Sequence, residues 1–304
     1  MNGILIVDKP EGLSSAKTVA RVKHLLKAAR VGHTGTLDPF ARGVLVCCLN
    51  QATRLAQFLL HDVKAYDAVM TLGIETDTQD PTGKVVGQGD WTAVTADRLE
   101  RCLQGFAGTL AQAPPVFSAL KHGGVPLYTL ARRGEPVQKP PRSVHIDRLR
   151  LLEVRLPQVR FEVRCSAGTY VRSLCADIGR TLGCGAHVSE LTRTESGGFR
   201  IEQALSLAEV ESLAQQGGIC ERLIPMARAL PGRPSVTADP ALLEKIRHGR
   251  PLVPADVALD LQGFTEDALL KVVDERGDLV AVLRYTLAGR RLAYGCVVGP
   301  TGSP

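Results

Sequence analysis

The stretch Gly32-His33-Thr34-Gly35-Thr36-Leu37-Asp38-Pro39-Phe40-Ala41-Arg42-Gly43 constrains this chain more than any other, because it joins a helix-patterned segment to an apolar run through a loop whose shape glycines and a proline set. Upstream, Ser14 or Ser15 is placed to cap a helix with Ala16, Val19, Val22, Leu25, Leu26 and Ala29 on one face. Downstream, Val44 to Leu49 reads as a core strand. One carboxylate, Asp38, stands isolated between them. A rigid loop beside a core strand is a common place for catalytic groups. An ordinary Asp-Pro turn uses the same residues, so the loop alone leaves both readings open.

Around this unit the pattern is mainly strand. Ile4 to Val7 reads as a buried strand and Ala65 to Gly73 as another, followed by the acidic, turn-rich loop Thr76 to Gly83. Leu99, Cys102 and Leu103 fit a short helix. Residues 112–141 read as a long irregular insertion of the kind that binds something. Leu149 to Val154 and Val159 to Cys165 alternate like paired strands. Thr169 is then placed to cap a helix through Val171, Leu174, Cys175, Ile178 and Leu182 that stops at Gly183. Such a pattern predicts an α+β fold with a mixed, mainly antiparallel sheet. A proline-rich, aperiodic stretch near Pro225 to Pro234 marks a linker. Beyond it lie a short helix from Pro240 to His248, a hairpin of Leu269 to Val273 with Leu279 to Leu283, and a last strand from Leu292 to Val298. The division is therefore 1–231 and a small β-rich tail, 232–304.

A net charge of +6 is modest, but the cations bunch at Arg132-Arg133, Lys139 to Arg142, Arg148 to Arg150 and Arg290-Arg291, which favours a polyanionic partner. Aromatic residues make up only 4% of the chain, which argues against a sheet that stacks successive bases and for RNA held by shape and phosphate contacts. No stretch approaches a membrane span or a signal peptide. The eight cysteines have no metal-ligand spacing and read as reduced, mostly core thiols of a cytoplasmic protein.

Several ordered segments carry a more specific resemblance. They are Asp8-Lys9-Pro10, Gly32 to Pro39, Lys64-Ala65-Tyr66, Leu72-Gly73 with Thr76 to Asp80, Pro114 to Lys121, Cys165 to Arg172 and Gly183 to Val188. Together they resemble the bacterial tRNA pseudouridine-55 synthases of the TruB type over roughly residues 3 to 200. Three positions depart from that pattern: Arg42 where a Thr is frequent, Asn50 where a Gly often ends the strand, and Thr192 where the first of two arginines is common. The last puts one phosphate contact in question.

The resemblance implies a catalytic domain of pseudouridine synthase type and a PUA-like RNA-binding tail. It implies an enzyme that acts on the T-arm of tRNA; the chain is expected to be a monomer, and the chemistry needs no metal or cofactor. Asp38 resembles the nucleophile, Arg172 the arginine that pairs with it, and Tyr66 the aromatic that stacks on the flipped uracil and helps to remove its C5 proton. Tyr170 and Leu191 match residues lining the base pocket, and His33 matches one that fills the space the base leaves. Lys9 fits a structural group in the turn that buttresses the loop. Read as plain residues, Tyr66, Tyr170 and Leu191 would be core, and Arg172 a surface cation on a helix.

The chemistry fits these types. Breaking the N1 to C1′ bond, turning the uracil and joining C5 to the same carbon requires an ionised carboxylate that attacks the sugar, assists elimination or stabilises positive charge; the residues leave all three routes open. A carboxylate in a closed pocket needs a nearby cation to stay charged. The loop lacks the GK[ST] ending of a nucleotide loop, and a nucleosidase would release the base to water. The rival from another class is a tRNA-binding folding chaperone, which would survive loss of the Asp38 charge unchanged.

Overall fold

The structure, a computed structural model, describes residues 1–60, 62–288 and 291–299. Arg290, in the last basic cluster, and the end of the tail from 300 onward lie outside the described residues. The first 200 residues supply seven principal strands: β1 (Gly3–Lys9), β2 (Arg42–Leu49), β3 (Lys64–Leu72), β4 (Gly108–Gln112), β5 (Arg142–Arg155), β6 (Gln158–Cys165) and β7 (Ala186–Ser196). The helices that cover them are α1 (Ser15–Leu25), α2 (Ala96–Gln104), α3 (Val171–Leu182) and α4 (Leu207–Gln216). Among the described residues the strands form one nine-stranded sheet in the order β1-β2-β7-β3-β6-β5-β4, with Val31–His33 added to β2 and Phe199–Arg200 to β7.

Every neighbouring pair along this order is antiparallel except β2 and β7, which run parallel and touch through Arg42 with Thr192 and Gly43 with Arg193. The Asp38 loop thus ends where the two halves of the sheet are joined. Gly43 has φ +104°, and a Cβ there would sit 2.3 Å from the Arg193 carbonyl oxygen. Gly43→Ala is therefore expected to cost at least about 3 kcal/mol, from backbone strain plus overlap with a backbone atom that cannot swing aside. A thermal melt checks this, and an unchanged Tm would show the join to be loose. At the same seam Arg42 Nε donates to Thr192 Oγ1 at 2.9 Å. Two of the departures from the family pattern thus meet.

The β1–β2 half is covered on both faces, which explains its continuous apolar run. Leu5, Val7, Leu45 and Cys47 pack on Val22 and Leu26 of α1 and Val210 of α4. Ile4, Ile6, Val44 and Val46 face the other way. In the second half, Tyr66, Ala68 and Met70 of β3 and Phe161 and Val163 of β6 pack beneath Leu99 of α2 and Leu174 and Ile178 of α3. The alternate residues carry exposed ion pairs such as Asp67 with Arg160.

The tail contains β8 (Ser235–Thr237), α5 (Pro240–Arg247), β9 (Leu269–Val273), β10 (Leu279–Thr286) and β11 (Arg291–Val297), the four strands forming a second sheet in that order. It has its own core around Leu242, Leu270, Val272 and Leu283. However, Leu279, Val282 and Val298 pack into the same cluster as Ile4, Val44 and Leu55.

Four local expectations are corrected. The stretch from Pro225 is not a free linker, because Met226, Ala229 and Leu230 are buried in that shared cluster. The buried face of α1 runs through Ser15, Thr18, Val22 and Leu26 while Ala16 and Ala29 are exposed, because hydroxyl bonds make Ser15 and Thr18 tolerable inside. Thr169 does not cap α3; its hydroxyl donates to the Ser166 carbonyl, and Tyr170 takes the cap position without a side-chain bond. The insertion is also less irregular than its sequence, holding a two-residue hairpin, Lys121–His122 with Val125–Pro126, and the helical turn Leu127–Arg132. Among the described residues no helix is long and apolar enough to cross a membrane.

Candidate active site

The Asp38 loop is held from below. Ser15 Oγ accepts from Leu37 N–H at 2.8 Å and donates to the Leu37 carbonyl at 3.0 Å, tying the loop to the first turn of α1. Lys9, wholly buried, donates to the carbonyls of Pro10, Leu13 and Pro39. Burial lowers its pKa to about 8. Arg193, 1% exposed, donates to the carbonyls of Val44, Gly35 and Thr36. The two chain ends of the loop are therefore braced by buried cations bonded to its backbone.

Asp38 points into a cavity of about 290 Å³, near the lower limit of small-ligand pockets. Tyr66, Tyr170, Arg172 and Leu191 line it as well, so the fold gathers five of the six expected site residues. His33 is not among the lining residues. It lies on the short edge strand paired with β2, opposite Cys47, and burial followed by the Arg193 charge lowers its pKa, holding the imidazole neutral at physiological pH.

Arg172 rises from the first turn of α3 and is 2% exposed. Its Nε lies 2.8 Å from Asp38 Oδ2, and Nη2 donates to Oδ1 at 3.3 Å. The same guanidinium donates to the Thr78 carbonyl at 2.8 Å and the Phe117 carbonyl at 2.9 Å, and its Nη1 is 3.6 Å from Asp80 Oδ2. One planar group thus joins the Asp38 loop, the acidic turn and the insertion, a task that suits arginine and not lysine. Burial pushes the Asp38 carboxyl above the ordinary range; Arg172 opposes this, and Asp80 adds to the push. Asp38 keeps 33% of its side-chain surface open to the cavity.

Tyr66 is buried at the cavity wall, and burial raises its phenol against the opposing pull of Arg193, so the group stays protonated through neutral pH. Lys64, on the same face of β3, spends its ammonium on the carbonyls of Leu60 and Asp62, and burial lowers its pKa to about 8. Among the described residues, the cavity wall carries Lys64, Arg142, Arg172 and Arg193 against the single carboxylate of Asp38. Such a wall surrounds one carboxylate with positive charge.

Residues 23–171 match the N-terminal domain of the TruB family pseudouridylate synthases, and residues 172–230 match the tRNA pseudouridylate synthase B C-terminal domain. Over 97% of its length the chain is 43% identical to tRNA pseudouridine synthase B of Syntrophotalea carbinolica, covering 95% of that protein. The chain belongs to the TruB pseudouridylate synthase family. It is likewise 44% identical to the Geotalea uraniireducens tRNA pseudouridine synthase B, over 95% of this chain and 93% of that one. Among solved structures it resembles a chain of a Cbf5-Nop10-Gar1 complex, with TM-score 0.75 and 29% identity over 98% of this chain and 84% of that chain. A chain of an H/ACA ribonucleoprotein bound to a substrate RNA containing 2′-deoxyuridine gives TM-score 0.74 at the same identity, covering 98% and 85%. The fold is thus that of a pseudouridine synthase, with a mainly antiparallel catalytic sheet and a β-rich C-terminal region.

Within this TruB-family site, sequence reasoning passed over Asp80, Arg193, Gln112 and Arg142. Asp80 reads as one more acid in a turn, yet it is 5% exposed and accepts from Thr78 Oγ1, Thr82 N–H and Thr82 Oγ1. The available signal was the spacing Thr78-Gln79-Asp80-Pro81-Thr82, which gives one carboxylate a hydroxyl on each side.

Proposed function

We propose that this protein isomerises uridine to pseudouridine in tRNA, at position 55 of the T-loop, with Asp38 as the nucleophilic carboxylate. The observation that carries the reading is the Asp38–Arg172 pair set in a cavity walled by Tyr66, Tyr170 and Leu191, in a chain of the TruB family. Atoms and electrons balance within the nucleoside. The N1–C1′ bond breaks, a C5–C1′ bond forms, and the C5 proton leaves while N1 gains one, so no oxidant is consumed. Asp38 acts at C1′ and Arg172 keeps it ionised against burial.

Tyr66 stacks on the displaced uracil; its raised pKa favours that role over standing proton acceptance, since a neutral phenol is a weak base. Leu191 and Tyr170 keep water from the detached base. His33, neutral and outside the cavity, takes the space vacated in the RNA. We assign catalysis to residues 1–231 with the insertion at 112–141, and RNA binding to a PUA-like tail, 232–304. The enzyme is read as a monomer of the cytoplasm, a compartment in keeping with eight unpaired thiols of which only Cys220 is exposed.

The test is tritium release from C5-labelled uridine in a T-arm stem-loop, with pseudouridine identified in the product. Release matched to pseudouridine supports the reading; tight binding with no release would overturn it.

The tail needs a gentler probe than deletion. Removing residues from Gly232 onward is expected to unfold or aggregate the protein, because Leu279, Val282 and Val298 cover Ile4, Val44 and Leu55. Arg247→Glu at the exposed end of α5, with Arg250→Glu at an exposed position three residues beyond it, leaves that core intact. The expected result is weaker tRNA binding, with the slope of log K against log salt reduced by roughly 1 for each phosphate that is no longer neutralised, and little change on a short stem-loop. An unchanged slope on full tRNA removes the tail from the binding surface.

A further inference from the structure

The insertion leaves the sheet at Gln112 and returns at Arg142, and these two residues face each other as partners across β4 and β5. Both side chains then turn to one residue. Gln112, 3% exposed, accepts from Tyr170 N–H at 2.8 Å and donates from Nε2 to the Tyr170 carbonyl at 3.0 Å. Arg142 lies over the Tyr170 ring, 5.1 Å from its centroid, and donates to the Gly168 carbonyl. Gly168 has φ +87°, and a Cβ there would press on the same guanidinium at 3.2 Å, so the contact needs glycine. Farther along the insertion, the Phe117 carbonyl receives Arg172 Nη2, and Ser118, Ala119 and Leu120 line the cavity.

Tyr170 occupies the cap position of α3, where a Ser, Asp or Asn side chain commonly satisfies the first amides. Here a glutamine from another strand fixes the backbone of the cap residue itself, and a buried amide left without those two bonds would be costly. The planar cation holds the ring. Backbone and ring of one cavity residue are thus fixed by the two residues that form the neck of the insertion, which also carries the exposed cations Arg132 and Arg133.

We propose that Gln112 and Arg142 are positioning residues that couple the insertion to the base pocket: the neck they close holds the insertion in place and sets the Tyr170 ring before RNA arrives. Neither touches the reacting atoms. The inference rests on reading the cavity as the base pocket.

Gln112→Ala, Arg142→Ala and Arg142→Lys in the full chain test it by two readouts. One is tryptic cleavage after Arg132 and Arg133 in RNA-free protein. The other is the single-turnover rate of pseudouridine formation at saturating stem-loop, measured beside the Kd. Gln112→Ala is expected to cleave severalfold faster within the insertion and to lose about 10- to 100-fold in saturated rate, with Kd nearly unchanged. Arg142→Lys is expected to behave like Arg142→Ala, because an ammonium keeps the charge without the flat face. Unchanged cleavage, an active Arg142→Lys, or a loss confined to Kd would each overturn the clasp, the last making Arg142 a plain RNA contact. A wild type that forms no pseudouridine overturns the functional reading instead, and the cleavage comparison still decides whether neck and insertion are coupled.

Discussion

Asp38→Asn is expected to abolish turnover, by roughly 10⁴-fold or more, while RNA binding stays within a few-fold of wild type. The amide is nearly isosteric and keeps an acceptor for Arg172, but it cannot attack C1′ or carry the negative charge that stabilises it. Binding survives because the RNA is held by cations outside the Asp38 pair, such as the exposed Arg132 and Arg133 of the insertion, and removing a carboxylate does not weaken them. Tritium release and a filter-binding Kd, measured on the same stem-loop, separate the two. Unchanged turnover would remove Asp38 from the chemistry and leave the site without a nucleophile.

Arg172→Met is the second large effect. It strands Asp38 and Asp80 without the cation between them and frees the carbonyls of Thr78 and Phe117, so three loops lose their common anchor. Breaking a buried pair in this way costs about 3–5 kcal/mol, toward the lower end here because Asp38 is partly open to the cavity. The pH profile carries the sharper signature. In the wild type, burial and Asp80 raise the Asp38 pKa and Arg172 lowers it. With the cation gone only the raising influences of burial and Asp80 and the smaller, more distant pull of Lys9 remain, so the carboxyl takes its proton at higher pH and activity falls earlier as pH drops. The acid limb of kcat is therefore expected to move upward, with partial recovery at alkaline pH. Arg172→Lys restores charge but not the planar fork that serves several acceptors at once, and is expected to rescue little. An acid limb at the wild-type position would show that Arg172 does not set the ionisation of Asp38.

Asp38 stood out through its loop, whereas Tyr66, Tyr170, Arg172 and Leu191 read residue by residue as core or surface and entered the site only through the family resemblance; all five line one cavity. His33 shared the loop motif but sits on an edge strand facing Cys47, because a strand register, not proximity in sequence, decides which way it points. Gln112 marked only the start of an irregular insertion, and Arg142 only the end of a basic cluster. Their pairing across β4 and β5 turned them into its neck, which no local pattern encodes. Arg193 reads as a surface cation on a strand, and only the close packing against Gly35 and Gly43 buries it.

The sequence by itself determined the elements and the shape of the Asp38 loop, because periodicity, capping and the φ preferences of Gly and Pro act over a few residues. Tertiary structure decided which loops meet. Arg172 reaches Asp38 across 134 positions of chain, and the seam of Arg42 with Thr192 spans 150. The reach of Arg172 is what gives Asp38 its chemistry. Burial, which raises the carboxyl, and the guanidinium, which lowers it, are both long-range consequences of closing the sheet, and electrostatics of that kind exist only once the distances do.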